Sequence, residues 1–402
     1  MTGQPKDQQE KNWYSITDID QLDTPVLVVY PDRVKKNIRL ALEMVGGDPA
    51  RLRPHVKTHK SPGATRLLLD AGITKFKCAT IAEAEMLAIS GAPDVLLAYQ
   101  PVGPKLRRFI SLIREYPATT FSCLIDNAGA AAEMDRSFSE AGLRVPVYID
   151  LNLGMNRTGI APGPAASELY LKYSERQPQD PVRPGADPAN RSGISSEVRN
   201  GIFPVGLHAY DGHIRDTDMD KRTQRCDAAF EEVEKLSIGL TAQGVDAPLI
   251  VAGGSPTFSI HCKRKGIECS PGTFIYWDRG YCETCPEQHF LPAALVVTRV
   301  VSLPDSTKIC LDLGHKSVAA ENDLAHRVWF LDAEGLTPTS QSEEHLVMET
   351  SPAHGYPIGH IFYGLPYHIC PTVALYERAI TITGGKITGE WMNSARDRRI
   401  RS

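Results

Sequence analysis

Residues 119–151, TTFSCLIDNAGAAAEMDRSFSEAGLRVPVYIDL, contain one repeat of the pattern that decides the fold. The apolar run at 119–125 is typical of a short buried strand, and the alanine-rich segment at 128–141 predicts a helix after it. A second apolar run at 145–151 predicts the next strand. The same alternation recurs across the first two-thirds of the chain, so it indicates an α/β fold.

The alternation predicts eight short strands, most of them rich in Val, Ile or Leu, as is typical of parallel strands buried on both faces. They lie at residues 52–58, 75–79, 94–99, 119–125, 145–151, 205–210, 248–252 and 273–277. Eight strand-helix repeats in about 250 residues match a (β/α)8 TIM barrel, which we expect to occupy residues 31–279.

The alternation ends after residue 278, where short strand-like segments separated by turns begin. These segments lie at residues 294–302, 307–311, 327–331, 344–349, 360–362, 380–383 and 390–391. An apolar run at 24–30 precedes the first barrel helix, and we expect it to join the same sheet. The sequence therefore predicts a mainly β domain built from residues 1–30 and 280–402. Residues 172–200, rich in Pro, Asp, Arg, Gly and Ser, indicate a long mobile loop inserted in the barrel.

The composition is that of an ordinary soluble globular protein, with 42% hydrophobic residues, 23% charged residues and a formal net charge of −4. This balance does not indicate a nucleic-acid partner. No apolar run reaches the roughly 18 residues that a membrane-spanning helix needs, and residues 1–12 lack the hydrophobic centre of a signal peptide. The nine cysteines fit reduced thiols better than a disulfide framework. We therefore expect a cytoplasmic protein that contacts neither nucleic acid nor membrane.

A strongly basic stretch, Arg53-Pro54-His55-Val56-Lys57-Thr58-His59-Lys60, places Lys57 at the end of the first predicted strand. A lysine amine is a nucleophile only when its proton is easily lost, and neighbouring cations such as Arg53 or Lys60 favour that loss by repulsion. Lys57 is therefore the candidate for a covalent imine with a carbonyl cofactor. The alternative is a solvated basic patch, since lysine and arginine runs usually face water.

Catalytic groups of a barrel collect at the C-terminal ends of its strands. Arg157 lies just beyond the fifth predicted strand and Tyr210 at the end of the sixth, although an aromatic residue there also serves for packing alone. Small residues follow the seventh strand and stand at the entry to the eighth, namely Gly253, Gly254, Ser255, Gly272 and Thr273. Such residues let backbone N–H groups approach an anion, and loops at strands seven and eight commonly hold phosphate in this fold. A plain tight turn is the alternative for Gly-Gly-Ser-Pro.

A lysine at the first strand and a phosphate cradle at the last strands together describe a pyridoxal phosphate site on a barrel. The sequence here resembles the fold-type III, alanine racemase-like pyridoxal phosphate enzymes, and among them the D-threonine aldolase and D-serine dehydratase family. The resemblance covers nearly the whole chain. Its motifs are the basic stretch around Lys57, Gly253-Gly254-Ser255-Pro256-Thr257, Ser270-Pro271-Gly272-Thr273, Pro366-Tyr367-His368-Ile369-Cys370-Pro371-Thr372, Asp312-Leu313-Gly314-His315-Lys316-Ser317, Glu343-Glu344-His345 and Ser394-Ala395-Arg396.

The resemblance assigns roles to several barrel residues. It implies that Lys57, rather than Lys60, carries the cofactor. It also implies that Arg157 contacts the ring side of the cofactor and that Tyr210 belongs to the active site. A homodimer follows partly from the resemblance and partly from geometry, because the β domain of one subunit would keep water out of the other subunit's barrel mouth.

The resemblance also implies a divalent metal at His368 and Cys370. Residues i and i+2 of a strand point to the same side, so we expect the pair to bind one ion together. Two protein ligands leave positions open for water and substrate, as a catalytic metal needs. Without the resemblance, the pair would be a buried core histidine and cysteine. A thiolate favours zinc, whereas a carboxylate in its place suits manganese or magnesium.

The activity that the resemblance implies is that of a lyase acting on D-3-hydroxy amino acids with pyridoxal phosphate and a divalent metal. The family's aldolases tend to carry aspartate where Cys370 stands, and its dehydratases tend to carry His-x-Cys. The motif Gly314-His315-Lys316-Ser317, followed by Glu321, is more aldolase-like. We therefore expect D-threonine aldolase-like cleavage to glycine and an aldehyde. The alternative is a D-serine or D-3-hydroxyaspartate dehydratase, which gives ammonia and a keto acid.

Other interpretations of the site stay open. Cys282-x-x-Cys285 has the spacing of a structural zinc knuckle, but the six residues between Cys262 and Cys269 are too many for a standard partner pair. Unligated thiols are the simpler account of these cysteines.

A racemase would need a second base on the opposite face of the cofactor, and a metal pair argues against it. A non-catalytic pyridoxal-binding barrel would need no C-terminal β domain.

Overall fold

The computed structural model describes residues 12–174, 200–331, 333 and 335–400. Most of the loop predicted at residues 172–200 lies outside the described residues. Its first two residues, Lys172 and Tyr173, instead complete a helix. No helix of the described part of the chain is both long and apolar enough to cross a membrane.

Short parallel strands alternate with helices over the first two-thirds of the chain. After β1 (Val26–Val29), which belongs to the second sheet described below, these strands are β2 (Lys75–Cys78), β3 (Asp94–Leu97), β4 (Thr120–Ile125), β5 (Val145–Asp150), β6 (Ile202–Ala209), β7 (Leu249–Ala252) and β8 (Ile267–Cys269). The helices are α1 (Pro31–Met44), α2 (Pro62–Asp70), α3 (Ile81–Ile89), α4 (Pro104–Glu115), α5 (Ala128–Glu140), α6 (Pro164–Tyr173), α7 (Met219–Ala242) and α8 (Phe258–His261). β2 to β8 pair in chain order as one parallel sheet of seven strands, which confirms the barrel-type α/β architecture.

The last strand of this sheet is not the one that the sequence predicts. The run at residues 273–277 forms the 3₁₀ turn Thr273–Ile275 and its exit, and the strand is the preceding β8. The run resembles a strand because its side chains are apolar, and they are indeed buried, but they fill the core from a turn. β8 has only three residues, one of them Glu268, so its hydrophobic pattern is weak. Gly272 and Thr273 therefore follow the last strand instead of standing at its entry.

The first predicted strand, residues 52–58, is also shorter than expected. Only Leu52 and His55 form isolated bridges, with Cys269 of β8 and Lys77 of β2 respectively. Pro54 has no N–H to donate, which limits regular pairing, but its carbonyl accepts the Lys77 N–H at 2.9 Å. The segment therefore spans the gap between β8 and β2 and completes the ring at the position of an eighth strand.

A second, separate sheet follows the barrel, as predicted. It contains β9 (Ala294–Asp305), β10 (Lys308–Leu311), β11 (Val328–Phe330), β12 (Thr337–Gln341), β13 (Leu346–Glu349), β14 (Ile361–Pro366), β15 (Arg378–Thr383) and β16 (Lys386–Met392). β1 joins this sheet between β9, its antiparallel neighbour, and β15, its parallel neighbour. Two further helices are α9 (Arg279–Thr284) and α10 (Ile369–Leu375). The domain boundaries at 30/31 and 279/280 stay predictions.

Candidate active site

Lys57 lies in the turn that follows the ring-closing segment, half-buried, with its backbone N–H donating to His55 Nδ1 at 3.2 Å. Burial, followed by the charges of Lys57 and Lys77, holds the pKa of His55 well below its ordinary value. The imidazole is therefore neutral and available as the acceptor of that hydrogen bond. The turn at Lys57 is fixed locally by this contact, and the long side chain is left to reach into the barrel mouth.

The cations expected to act on Lys57 are engaged elsewhere. Arg53 is buried and binds Glu268 at 2.7 Å and Asp94 at 2.6 Å, which ties the closing segment to β8 and β3. Lys60 forms an ion pair with the fully buried Glu83. Neither residue is therefore an isolated cation beside Lys57, because each is paired with carboxylates that the sequence does not place near it.

Lys77, on β2, is the cation that faces Lys57 instead. It is only 2% exposed, and its Nζ lies 3.4 Å from Nε2 of His208. The other ring nitrogen of His208, Nδ1, lies 2.7 Å from Asp150. Burial is the largest of the effects that lower the pKa of Lys77, to about 7, and the charge of Lys57 acts in the same direction. The sequence alone does not predict this chain of polar contacts, Lys77–His208–Asp150, inside the barrel.

Tyr210 brings the cationic groups of the barrel mouth together. Its ring centroid lies 5.0 Å from the guanidinium carbon of Arg157, 5.9 Å from Nζ of Lys57 and 5.4 Å from Nζ of Lys77. A Cβ atom at Gly254 would lie 3.0 Å from the same ring. Tyr210 therefore packs against the glycine turn and also lines the barrel mouth. The structure brings it together with both Lys57 and Arg157.

The predicted anion cradle is formed by two loops that meet at Ser255. Its Oγ accepts the backbone N–H groups of Gly272 at 3.3 Å and of Thr273 at 3.0 Å. A Cβ at Gly272 would lie 3.0 Å from the His55 carbonyl oxygen. Gly253 has a φ of +76°, which a side chain rarely adopts. Two amides thus converge on one side-chain oxygen, Ser255 Oγ, in a buried turn, and a phosphate oxygen that takes this position would meet the same two donors.

His368 and Cys370 do come together, but not through strand alternation. β14 ends at Pro366, and His368 is the residue that precedes the first turn of α10, so the strand prediction is wrong there. Their side chains nevertheless hydrogen-bond to each other. Cys370 Sγ also lies 3.1 Å from Thr58 Oγ1 and 3.7 Å from Thr273 Oγ1. The thiol therefore contacts the residue after Lys57 and the anion cradle.

The electrostatics of this pair suit a metal ion. Burial acts to raise the pKa of Cys370, but the hydrogen bond from His368 and the charge of Lys57 bring it below the ordinary value, so a thiolate is favoured. Burial acts to lower the pKa of His368, but the interactions with Cys370 and with the carboxylates of Asp278 and Glu321 raise it to about 9. A metal ion bound by this pair would take the place of the proton on the imidazole.

Two carboxylates, Glu321 and Asp278, lie beside the His368–Cys370 pair. Glu321 hydrogen-bonds Nδ1 of His368, as a carboxylate that orients a metal-binding histidine does. Asp278 is buried, accepts the Ile369 N–H at 3.1 Å, and has its pKa raised by burial to about 6. The placement of Glu321 next to His368 could not be found from spacing, because 47 residues separate them.

His213 lies in the loop after β6, three positions beyond Tyr210 in the motif His208-Ala209-Tyr210-Asp211-Gly212-His213. Its Nδ1 is buried and has no hydrogen-bond partner among the described residues. Burial also lowers the pKa of this imidazole, so it is an unprotonated base at neutral pH. The position at a strand's C-terminal end is the signal that could have identified it.

The cysteine zinc-knuckle alternative gains no support. Among the described residues, the only group of three close metal-ligating side chains is Asp211, Cys226 and His261, which includes none of the four knuckle candidates. All nine cysteines are free thiols. Unligated cysteines are therefore the account that fits the structure.

The fold and the family comparisons define the class of this protein. The chain matches the family described as "Alanine racemase, N-terminal domain" over residues 29–280 and the family described as "Putative serine dehydratase domain" over residues 293–382. The first match spans more than half of the 402 residues. The chain belongs to the alanine racemase N-terminal domain family, with a serine dehydratase-type domain after the barrel.

Individual relatives and solved structures show which kinds of enzyme this chain resembles. The D-threonine aldolase of Arthrobacter sp is 24% identical over 383 residues, which cover 94% of this chain and 93% of that protein. The D-threo-3-hydroxyaspartate dehydratase of Delftia sp. (strain HT23) is 24% identical over 395 residues, covering 92% and 97%. The crystal structure of D-threonine aldolase from Filomicrobium marinum has a TM-score of 0.81 at 22% identity and covers 93% of this chain and 95% of that chain. These relatives are lyases of two kinds that share one fold.

Proposed function

We propose that this protein is a lyase that uses pyridoxal 5'-phosphate and a divalent metal to cleave D-3-hydroxy amino acids, with D-threonine aldolase-like activity. The observation that carries the proposal is the position of Cys370, whose thiol contacts both Thr58, next to Lys57, and Thr273, in the anion cradle. A covalent anchor, an anion subsite and a metal-type ligand pair therefore lie within one barrel mouth. The lyase activities of the relatives support the same conclusion.

The barrel residues fit the cofactor. Lys57 would supply the amine that anchors the cofactor, and the loop at Gly272 and Thr273, together with the turn at Gly253 to Ser255, would receive its phosphate. Arg157 and Tyr210 border the space between those anchors. When bound, the cofactor supplies an electron sink for the electrons released at the substrate's α-carbon.

The β-domain residues fit a divalent ion. His368 and Cys370 would hold it, with Glu321 orienting the imidazole through Nδ1. A bound ion supplies Lewis acidity at the substrate's 3-hydroxyl. The thiolate character of Cys370 favours zinc over manganese or magnesium. His213 is the candidate to take the proton from the 3-hydroxyl, because its buried Nδ1 lacks a partner among the described residues.

A dehydratase acting on D-serine or D-3-hydroxyaspartate is the second candidate. The thiol at Cys370 favours it, since the dehydratases of the family tend to carry His-x-Cys. In that reaction Lys57 would take the α-proton, and ammonia and a keto acid would leave. The position of the base decides between the two outcomes, because cleavage needs a base at the 3-hydroxyl and dehydration needs one at the α-carbon.

We also propose a cytoplasmic homodimer in which the β domain of one subunit covers the barrel mouth of the other. The support is that the side chain of His368 is 45% exposed in the single chain. A metal site that excludes water would need a cover over this side chain.

Product analysis tests the activity. The protein, supplied with pyridoxal phosphate and zinc or manganese, is incubated with D-threonine and D-serine, and glycine, pyruvate and 2-oxobutyrate are measured; the L-enantiomers are the controls. Glycine from D-threonine supports the aldolase, and keto acids support the dehydratase. Absence of all three products with both D-substrates would contradict the proposal.

Variants test the metal pair separately from the cofactor. His368→Ala and Cys370→Ala should remove turnover and leave the visible absorbance of the Lys57 imine, because the two groups have separate anchors. Cys310→Ala, which removes a thiol from β10, is the matched control and should keep turnover. Cys370→Asp should retain some activity and shift the metal preference from zinc towards manganese. Unchanged turnover in both alanine variants would refute the metal role.

A further inference from the structure

A buried hydrogen-bond network lies directly behind the glycine turn of the anion cradle. Oδ1 of Asp211 accepts the Thr257 hydroxyl at 2.7 Å, and Oδ2 lies 2.8 Å from Nε2 of His261. The Thr257 Oγ1 in turn accepts the backbone N–H of Gly254 at 3.3 Å. All three side chains are almost fully buried. The network therefore connects β6, which precedes Asp211, to the turn after β7.

The protons of this network can be assigned from its outer contact. Arg264 Nε donates to His261 Nδ1 at 3.3 Å, so Nδ1 is the acceptor and Nε2 carries the hydrogen that Asp211 accepts. Burial acts to raise the pKa of Asp211, but the hydrogen bonds from His261 and Thr257 bring it below its ordinary value. Asp211 is therefore an ionised carboxylate with both oxygens engaged.

The same residues do not need a metal ion to be satisfied. Cys226 Sγ lies 3.4 Å from His261 Nε2 and 3.6 Å from Asp211 Oδ2, which is close enough for a shared ion. However, the Arg264 guanidinium reaches the same thiol at 3.9 Å and binds Nδ1 of the ring. A fixed cation and a protonated Nε2 favour hydrogen bonding over metal coordination.

The imidazole of His261 also shapes the turn by direct contact. A Cβ atom at Gly253 would lie 2.7 Å from Cδ2 of His261 and 3.0 Å from Oγ1 of Thr257. The ring therefore packs directly against the backbone of Gly253, where a side chain would have no room. The φ of +76° at this position also favours glycine. Two residues further on, Ser255 Oγ receives the amides of Gly272 and Thr273.

We infer that Asp211, Thr257 and His261 are positioning residues for a phosphate subsite. They hold the turn at Gly253 and Gly254 in the shape that aligns Ser255 with the amides of the loop after β8, without contacting the ligand themselves. The inference rests on the proposed function in taking the ligand to be the phosphate of pyridoxal phosphate. It predicts that the network contributes to binding of the phosphate group and not to binding of the pyridoxal ring.

The test compares two ligands that differ only in the phosphate group. The dissociation constants of pyridoxal phosphate and pyridoxal are measured by imine absorbance for the cofactor-free parent protein and its variants. Thr257→Val keeps the shape of the side chain and removes the hydroxyl, and His261→Phe keeps a ring and removes the hydrogen bonds. Cys226→Ala is the control, because this thiol contacts the network and not the turn. Inorganic phosphate binding, measured by thermal shift, serves as the third ligand.

The expected result is a loss of at least tenfold in affinity for pyridoxal phosphate in Thr257→Val, with pyridoxal changed less than twofold and Cys226→Ala like the parent. His261→Phe should behave in the same way if it folds, and Thr257→Val is decisive if it does not. Equal losses for both ligands, or no loss, would overturn the inference. If the parent binds inorganic phosphate more tightly than Thr257→Val does but forms no imine with either aldehyde, the proposed function fails and the subsite stands.

Discussion

Replacing Lys77 with methionine should stabilise the protein, and more so at low pH. Lys77 is 2% exposed and its amine has one close polar neighbour, His208, among the described residues. Burial is the main reason that its pKa falls from 10.5 to about 7, and the charges of Lys57 and Arg53 act in the same direction. Methionine has similar length and no charge, so the substitution removes the cost of burying an ammonium group.

The sign follows from proton binding in the two states. Below pH 7 the amine is charged in both states, and the folded protein bears the full cost. Between pH 7 and 10.5 the unfolded state binds the extra proton, so the parent gains stability as pH rises, and above 10.5 the cost is absent. Each pKa unit corresponds to about 1.36 kcal/mol of stability. At pH 6 the parent therefore bears the full cost of the shift from 10.5 to 7, about 5 kcal/mol. At pH 9 it bears only the part between 9 and 10.5, about 2 kcal/mol.

The assay is urea unfolding of the cofactor-free and metal-free protein at pH 6 and pH 9. Groups whose pKa does not depend on Lys77 cancel when the parent is subtracted from the variant, so the quantity of interest is the change in that difference, about 3 kcal/mol. Lys35→Met is the control, since that side chain is 57% exposed. An advantage of Lys77→Met that stays constant or grows from pH 6 to pH 9 would refute the reasoning.

Three further predictions concern the lysines and the assembly. Lys57→Ala should abolish the imine absorbance with pyridoxal phosphate while Lys60→Ala retains it, and borohydride labelling of Lys60 in the parent would contradict the assignment. Lys60→Met should lower the free energy of unfolding by about 3–5 kcal/mol, because Glu83 is left buried without its partner. The double variant with Glu83→Gln should recover most of that loss, and a double variant without recovery would exclude the ion pair as the cause. Sedimentation at assay concentration should show a dimer, and a fully active monomer would rule out the covered barrel mouth.

The barrel could be predicted because its signal is local and repeated. Strands β3 to β7 are largely buried, so each appears in the sequence as a short, mainly apolar run between helices. The eighth position could not be predicted in the same way. β8 is only three residues long and contains Glu268, whose burial depends on Arg53 from a segment 215 positions away. The apolar residues after Gly272 gave a stronger strand pattern although they form a turn.

The candidate site shows the same division between local and long-range information. Lys57, Tyr210 and the glycine turn lie at strand ends, and the sequence indicates such positions directly. The prediction that His368 and Cys370 lie on one strand is wrong, because α10 begins between them. Their side chains still lie close together, since two residues at the start of a helix can also approach each other. Lys77 looked like an ordinary strand residue, since nothing in the sequence shows that its amine points into the barrel beside His208.

Cys370 is the point at which the parts of the site meet, and Asp278 is one of the residues that fix its position. The thiol belongs to α10 of the β domain, yet it contacts Thr58 beside Lys57 and Thr273 in the anion cradle. Asp278, at the end of the barrel, fixes the start of α10 by accepting the Ile369 N–H across 91 positions of sequence. In the proposed site, a displacement of α10 by about 1 Å would shift Cys370 relative to Thr58 and Thr273, and misplacements of that size are costly to catalysis. The buried carboxylate of Asp278 therefore contributes to the proposed alignment of cofactor and metal.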